Sequence, residues 1–228
     1  LMPFTLKETK EFLEMSNVRL TLKDIATLYM SIGGVPYYLK DLKAGKSVPQ
    51  LLDDLFFNRQ AILKNEFINL YASLFKNSDL HVEIVKALAH KNKGLTRNEI
   101  LAETSIKSGG GFTVLLQELV ACGFIKIIYP INKTKDDILY RLVDEYSIFY
   151  FKFLINNSAN NSWLYLSNKA SYKTWSGYAF ENLCFKHVYQ IKKALGINGI
   201  ISNEYSWYKK GDKAEKGTQI DFIIDRSD

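Results

Sequence analysis

The sequence has few of the patterns that mark secreted, membrane-bound or metal-binding proteins. Its 228 residues include two cysteines, Cys122 and Cys184, which are too few for a disulfide framework and predict a reducing, cytoplasmic location. No apolar run approaches the roughly 20 residues that span a bilayer, and the first residues form no basic and apolar leader. We therefore expect neither secretion nor a membrane partner. The histidines, His81, His90 and His187, lack the spacing of zinc ligands.

The charge balance is weakly basic. Lys and Arg number 30 against 24 Asp and Glu, and the resulting net charge of +6 is spread thinly along the chain. One local cluster lies in a predicted loop and consists of Lys209, Lys210, Lys213 and Lys216. Such a surface is compatible with a nucleic-acid partner but does not require one.

The first third of the chain is predicted to be helical. Thr5 and Glu8 form a capping box that opens a first helix, and a second helix is expected to end at Gly33. A longer helix is expected over residues 48–65, because Val-Pro is a typical helix start. Residues 1–75 are therefore predicted to form a small helical bundle.

The middle of the chain has a different pattern. One helix is predicted over 80–90, a second from Thr96 onward and a third over 112–123. Strands over 124–129 and 138–143 are predicted to form a β-hairpin. This order is that of a winged helix-turn-helix. An aromatic-rich helix over 144–155 follows, and we expect it to fill the core between domains.

The last part begins with a linker. Residues 156–162 are uncharged, polar and rich in turn-forming residues, which indicates a domain boundary. A long helix is predicted over 177–195, followed by strands over 200–208 and 218–224. The fold class expected is α+β and mostly helical, with domains over 1–75, 76–155 and 156–228.

Two acidic residues lie in apolar elements and are the candidate site. Glu181, in Gly177-Tyr-Ala-Phe-Glu, flanks the predicted apolar stripe of its helix, which includes Phe180, Leu183 and Cys184. It has no counter-charge three or four residues away. Asp221 lies inside the apolar strand Gln219-Ile-Asp-Phe-Ile-Ile224. Clustered carboxylates can hold Mg²⁺ for phosphodiester cleavage, so both residues are candidate metal ligands. The same pattern also fits a Glu stabilised by a helix dipole and an Asp facing water.

Several motifs together resemble one protein family. The order Gly-Tyr-Ala-Phe-Glu, Trp207-Tyr208 and Gln-Ile-Asp-Phe-Ile-Ile, with Ser31-Ile-Gly-Gly-Val-Pro-Tyr-Tyr-Leu39 upstream, resembles the carboxy-terminal part of a family of archaeal and bacterial AAA+ ATPases. The last domain of that family is similar to PD-(D/E)XK nucleases, and residues 79–143 resemble its winged-helix region. The resemblance implies a helical AAA+ lid bundle, a winged helix-turn-helix and the start of a restriction-endonuclease-like α/β domain. It also implies that Gly33, Gly34 and Pro36 shape a nucleotide lid. The same resemblance implies that Glu181 and Asp221 are catalytic residues and metal ligands, with Glu181 as the helical acid and Asp221 as the strand acid.

The resemblance also sets what the chain is expected to lack. The family's Glu-x-Lys is expected after Asp228 and its Walker motifs before Leu1, so we expect a fragment whose ATP-binding core lies elsewhere in the intact protein. The fragment alone is expected to be inactive. The intact protein is expected to be an ATPase, to self-associate through that core, and to be a candidate Mg²⁺-dependent nuclease.

The predicted third helix leaves the nature of the partner open. Its exposed positions are predicted to be Thr113, Gln117, Glu118 and Ala121. They include one acidic residue and no basic residue, which argues against sequence-specific contacts with DNA bases. Phosphate contacts are still predicted for Lys107, Lys133, Lys135, Lys209, Lys210, Lys213 and Lys216. Winged helices also dock proteins. Two functions therefore remain, a DNA-processing regulatory part of a AAA+ ATPase and a non-catalytic protein-interaction adaptor with a degenerate nuclease fold.

Overall fold

The computed structural model describes residues 3–129, 138–155, 162–209 and 216–226. Over these ranges the chain is an α+β protein and is mostly helical, as the sequence predicts. Its helices are α1 (Leu6–Met15), α2 (Leu22–Ile32), α3 (Pro36–Leu39), α4 (Val48–Leu52), α5 (Glu66–Leu74), α6 (Ser78–Ala89), α7 (Arg97–Glu103), α8 (Gly110–Ala121), α9 (Glu145–Phe149), α10 (Trp163–Leu166), α11 (Ala170–Lys186) and α12 (Val188–Ala194). Short π or 3₁₀ turns cover Asp53–Phe57, Ile62–Lys64 and Tyr150–Leu154. The strands are β1 (Leu95–Thr96), β2 (Ile125–Ile128), β3 (Leu139–Leu142), β4 (Ser202–Lys209) and β5 (Thr218–Arg226). Within the described ranges, no helix combines the length and apolar character needed to cross a membrane.

Local capping signals define several helix ends. The hydroxyl of Thr5 accepts from the backbone N–H of Glu8, whose carboxylate accepts from the backbone N–H of Thr5, and this capping box opens α1. The prediction of one helix over 48–65 is wrong, because this segment consists of α4 and two short turns. Asn58 adopts an extended backbone conformation, and its side chain donates to Asp54 at 2.8 Å, which ends the helical run.

The middle region has the order α6, β1, α7, α8, β2, β3. Its three strands form one antiparallel sheet in the order β1-β3-β2, with Leu95 opposite Tyr140 and Ile125 opposite Leu142. The predicted hairpin is confirmed by the pairing of β2 with β3, while the connecting residues 132–137 lie outside the described residues. The helices pack on the sheet through fully buried side chains, including Leu119 of α8.

The aromatic helix joins the parts of the chain that precede and follow it. Its extent agrees with the prediction, although its second half is a π-helical turn. Phe149 is fully buried, and its ring centroid lies 4.6 Å from that of Phe56, 5.0 Å from Trp163 and 5.6 Å from Trp175. A continuous aromatic core therefore extends from the amino-terminal helices to α10 and α11.

The helix predicted over 177–195 is two helices. It starts earlier, at Ala170, and the break between α11 and α12 lies at His187, which is 7% exposed. Nδ1–H of His187 donates to the carbonyl of Leu183 at 2.8 Å, and Nε2 accepts from the backbone N–H of Leu6 at 2.9 Å. These bonds tie the helix break to the start of α1. His187 is thus a packed core residue.

Candidate functional site

Glu181 is held in a buried ion pair. It lies in the second half of α11, and Nη1 of Arg141 in β3 donates to its Oε1 at 2.7 Å. The side chains of Glu181 and Arg141 are 9% and 5% exposed. The helix dipole decays within the first turn, so it contributes little at this position, and Arg141 provides the compensation that burial requires. The carboxylate charge is therefore balanced by a base from another part of the chain.

An aromatic ring of α11 lies beside the ion pair. Arg141 lies opposite Lys126 in the β2–β3 ladder, and its guanidinium is 5.7 Å from the ring centroid of Phe185, one turn beyond Glu181 on α11. The sequence pattern identified the buried face of α11 incorrectly at one position, because Phe180 is 55% exposed. The buried side chains of α11 are Trp175, Ala179, Asn182 and Leu183. Glu181 borders this face, as predicted.

Asp221 lies in β5, which packs beside α11. The ring of Phe222 meets that of Phe185 edge-on at a centroid distance of 5.0 Å, so the two elements that carry the candidate acids are neighbours. The β4–β5 ladder is irregular at this point, since Tyr205 pairs with Ile223 but Trp207 pairs with Ile220. The side chain of Asp221 lies outside what the structure describes.

No metal cluster is found in the described part of the chain. Among residues 3–129, 138–155, 162–209 and 216–226, no three His, Cys, Asp or Glu side chains are grouped so that they could hold a metal ion. Burial, aided by the nearby Glu181 carboxylate, raises the pKa of the Cys184 thiol, which lowers its reactivity. The Mg²⁺ ligation predicted for Glu181 and Asp221 stays a prediction.

The predicted phosphate-binding lysines are only partly described. Lys107 precedes α8 and Lys216 precedes β5, and both are exposed. Lys209 ends β4, and its side chain is outside the description. The remaining candidates, Lys133, Lys135, Lys210 and Lys213, lie outside the described residues. Among the described residues, Lys209 pairs with Thr218 in the β4–β5 ladder and so lies near Lys216, whereas Lys107 belongs to the segment before α8.

The glycines of the predicted nucleotide lid have a packing role. Gly33 ends α2 with φ +67°, and a Cβ there would lie 2.9 Å from Oε2 of Glu145. The carbonyl of Gly34 accepts from the backbone N–H of Phe4 at 2.7 Å, and a Cβ on Gly34 would lie 2.1 Å from the carbonyl oxygen of Phe4. Pro36 opens α3 at its first turn. Both glycines thus permit close approach of other segments, and the predicted lid role stays a prediction.

Sequence reasoning missed a second buried ion pair. Nζ of Lys186 donates to Oε2 of Glu145 at 2.6 Å, and the two side chains are 23% and 5% exposed. Burial raises the pKa of Glu145, and the Lys186 ammonium opposes this effect. A signal for the first pair was present in the sequence, because Arg141 is a charged residue in a short apolar strand. No comparable signal marked Glu145, which lies in the first turn of α9, where acids are common.

The exposed face of α8 is almost uncharged. The exposed positions agree with the prediction, and Val114 on the same helix is 50% exposed. The one acidic residue, Glu118, has its Oε2 at hydrogen-bond distance, 2.8 Å, from Nε2 of the buried His81. The helix therefore offers polar and apolar groups but no cation along its own exposed face.

Comparison with known proteins identifies no relative: no family model matches the chain, and neither the curated proteins nor the solved structures contain a significant match.

Proposed function

We propose that this chain is a non-catalytic regulatory region of a AAA+-type ATPase, in which Glu181 is a structural residue. The AAA+ part of the proposal comes from the resemblance of the sequence motifs, and the observation that supports a structural role for Glu181 is its buried ion pair with Arg141. A metal ligand must direct free carboxylate oxygens at the cation. Here the carboxylate charge is already used by a guanidinium at 2.7 Å in a site shielded from water.

The partner of this region is proposed to be a protein. The elements from α6 to β3, residues 78–142, have the order and sheet arrangement expected of a winged helix, and we call them the winged-helix-like unit. A helix that reads DNA needs Arg, Lys, Asn or Gln on its exposed face. Gln117 is the one such group on α8, beside the exposed apolar side chain of Val114. A mixed, nearly neutral face of this kind is better suited to a protein surface than to phosphates.

Metal-dependent cleavage by the intact protein tests the structural role of Glu181. The parent and the variant Glu181→Gln are compared on labelled DNA with and without Mg²⁺, and thermal unfolding of each is recorded in parallel. We expect the two proteins to give the same background cleavage. Cleavage that depends on Mg²⁺ and is lost in Glu181→Gln, at an unchanged unfolding midpoint, would refute the proposal.

Direct DNA binding tests the nature of the partner. Fluorescence anisotropy of a labelled duplex is measured at about 150 mM salt, where phosphate contacts still give measurable non-specific binding. We expect no saturable binding by the parent, and a gain of binding when Gln117→Lys adds a cation to α8. Saturable binding by the parent that weakens in Lys107→Ala would instead support a DNA partner.

A nuclease is the second candidate, and the neighbourhood of α11 and β5 favours it. The irregular pairing beside Asp221 is of a kind often found near active sites, and the exposed Lys216 precedes the same strand. In this case Asp221, and not Glu181, would supply the essential carboxylate. Loss of Mg²⁺-dependent cleavage in Asp221→Ala, with Glu181→Gln still active, would support this function.

A further inference from the structure

Two buried histidines make hydrogen bonds of opposite kinds. His187, between α11 and α12, is 7% exposed, and His81, in α6, is 1% exposed. Both ring nitrogens of each side chain lie at hydrogen-bond distance from another group of the chain. Histidine is the side chain that ordinarily changes its charge between about pH 5 and 8. The groups around each ring therefore decide how the fold responds when the ring gains a proton.

The contacts of His187 require the neutral imidazole. Its Nε2 lies 2.9 Å from the backbone nitrogen of Leu6, whose N–H can only donate, so Nε2 must accept through its lone pair. Its Nδ1 lies 2.8 Å from the carbonyl oxygen of Leu183, which can only accept, so Nδ1 carries the hydrogen. A second proton on Nε2 would point one N–H at another. Protonation of His187 therefore breaks its bond to Leu6.

The titratable groups around His187 offer little compensation for a positive charge. The ring of Tyr29 in α2 meets the imidazole edge-on at a centroid distance of 5.4 Å. Lys186 precedes His187 and is paired with Glu145 of α9 at 2.6 Å, while the exposed Glu8 of α1 belongs to the capping box of that helix. The charged side chains of α12 are lysines. Among these groups, each acid already has a partner, so an imidazolium would be buried without an ion pair of its own.

The contacts of His81 accommodate a second proton. Nδ1 lies 3.0 Å from the carbonyl oxygen of Asn77, and Nε2 lies 2.8 Å from Oε2 of Glu118. Both partners can accept, so a doubly protonated ring donates to each of them and forms an ion pair with the carboxylate. The same proton thus keeps both hydrogen bonds of His81 and removes one hydrogen bond of His187. His81 is therefore an internal reference for His187.

The bond that protonation breaks joins distant parts of the chain. Leu6 is the first residue of α1, and His187 lies 181 positions further on, where α11 ends and α12 begins. The neighbouring Phe4 is held independently, because its backbone N–H donates to the carbonyl of Gly34 and its carbonyl accepts from the hydroxyl of Tyr29, each at 2.7 Å. Loss of the His187 bond would therefore separate the start of α1 from α11 and leave the attachment of Phe4 in place.

We propose that His187 is a pH-sensitive switch that controls the contact between α1 and α11. The neutral ring holds the first backbone N–H of α1. A proton taken from solvent onto Nε2 breaks this hydrogen bond, and water then satisfies both the imidazolium and the N–H of Leu6. The switch uses neither Glu181 nor the exposed face of α8, so it does not depend on the proposed function.

NMR of the full chain between about pH 7.5 and pH 5 tests the switch. Ring ¹⁵N shifts report the protonation of His187, and amide hydrogen exchange, corrected for its intrinsic pH dependence, gives the protection factor of Leu6. At the upper pH we expect the Nδ1–H form of the neutral ring. As His187 gains its proton, the protection factor of Leu6 should fall at least roughly tenfold, since one buried hydrogen bond is lost. The protection factor of Phe4 should change less than about twofold, because its bond to Gly34 contains no titratable group.

Variants separate the proton on His187 from other titrations. His187→Gln keeps a side-chain donor and acceptor but cannot gain a proton, so the pH dependence of Leu6 protection should disappear. His81→Gln is the matched control and should keep the full response of the parent. Glu145→Gln removes the nearby buried acid and should keep it as well. If His187→Gln does not fold, the comparison of Leu6 with Phe4 in the parent decides the question alone.

Three results would overturn the proposal. The first is a His187 ring that stays neutral in the folded protein down to pH 5, because the switch then does not operate in the range where histidines ordinarily titrate. The second is an unchanged protection factor of Leu6 after His187 has gained its proton. The third is a response that persists in His187→Gln or is lost in Glu145→Gln, which would assign it to another group.

Discussion

Removing one partner of the ion pair between Arg141 and Glu181 should destabilise the protein far more than removing both. Their side chains are 5% and 9% exposed, so Arg141→Met or Glu181→Leu alone leaves one charge buried without compensation. Losses of this kind cost about 3–5 kcal/mol. The double variant replaces the pair by apolar groups of similar size and should lie within about 1 kcal/mol of the parent, because it removes both desolvation costs together.

Urea unfolding followed by circular dichroism at 25 °C measures these differences for the parent, both single variants and the double variant. For a chain of this size, about 3–5 kcal/mol corresponds to a fall in melting temperature on the order of 6–20 °C. The matched control is the surface pair of Lys7 and Glu11, which are 83% and 56% exposed and 3.8 Å apart. Removing Lys7 should cost well under 1 kcal/mol.

The comparison between the two pairs decides the role of Glu181. If Arg141→Met and Glu181→Leu each cost as little as the loss of Lys7, the buried pair contributes almost nothing. Glu181 would then be free to accept another cation, and the structural interpretation would be wrong. A large cost for each single variant together with a double variant equally unstable would also contradict the reasoning, because it would show that packing and not charge pairing is lost.

Three further predictions concern the rest of the fold and are checked by the same unfolding measurement. Gly34→Ala should lower the free energy of unfolding by roughly 1–3 kcal/mol, because the new Cβ would lie 2.1 Å from the amino-terminal backbone. Gly177→Ala, in open space on α11, should raise it by about 0.5–1 kcal/mol. The reverse order would contradict the close approach of the amino-terminal backbone to Gly34. Burial raises the pKa of Glu145 above its ordinary 4.5, so the native state binds its proton more tightly than the unfolded chain; the contribution of Glu145 to stability should therefore be fully present below pH 4.5 and be lost as the pH rises through the raised value. Glu145→Gln should flatten this decline, and an unchanged pH profile would exclude Glu145 as its source. Phe149→Ala should lower the free energy of unfolding by about 3–5 kcal/mol in a single transition, and Phe180→Ala, at an exposed position, should lower it by less than about 0.5 kcal/mol. Separate transitions would show that the aromatic core does not join the amino-terminal helices to α10 and α11.

Much of the fold follows from local signals in the sequence. Thr5 and Thr96 each open a helix through a capping box, and α2 ends at Gly33, as predicted. These features depend on side chains within a few residues of one another, which a sequence displays directly. The antiparallel pairing of β2 and β3 was predictable for the same reason, since two short apolar runs separated by a polar segment favour a hairpin.

The candidate site was less predictable because its contacts are distant in the chain. Arg141 and Glu181 are 40 residues apart, and helical periodicity reports only neighbours three or four positions away. The orientation of α11 was misjudged at Phe180 because a polar residue, Asn182, occupies the buried face in its place. The pattern of apolar residues cannot identify a buried amide, because the burial of an amide depends on its contacts with residues that are distant in the chain.

The carboxy-terminal half of α11 and the residue that ends it connect three otherwise separate parts of the molecule. Within two turns, Glu181 binds β3, Lys186 binds the first residue of α9, and His187 binds the backbone at the start of α1. Each contact is buried or mostly buried, so relative movement of these elements would have to break hydrogen bonds that water cannot easily replace. A substitution at Glu181 therefore perturbs the attachment of α11 as well as any chemistry at its carboxylate. Loss of activity in such a variant is evidence for catalysis only when its unfolding free energy equals that of the parent.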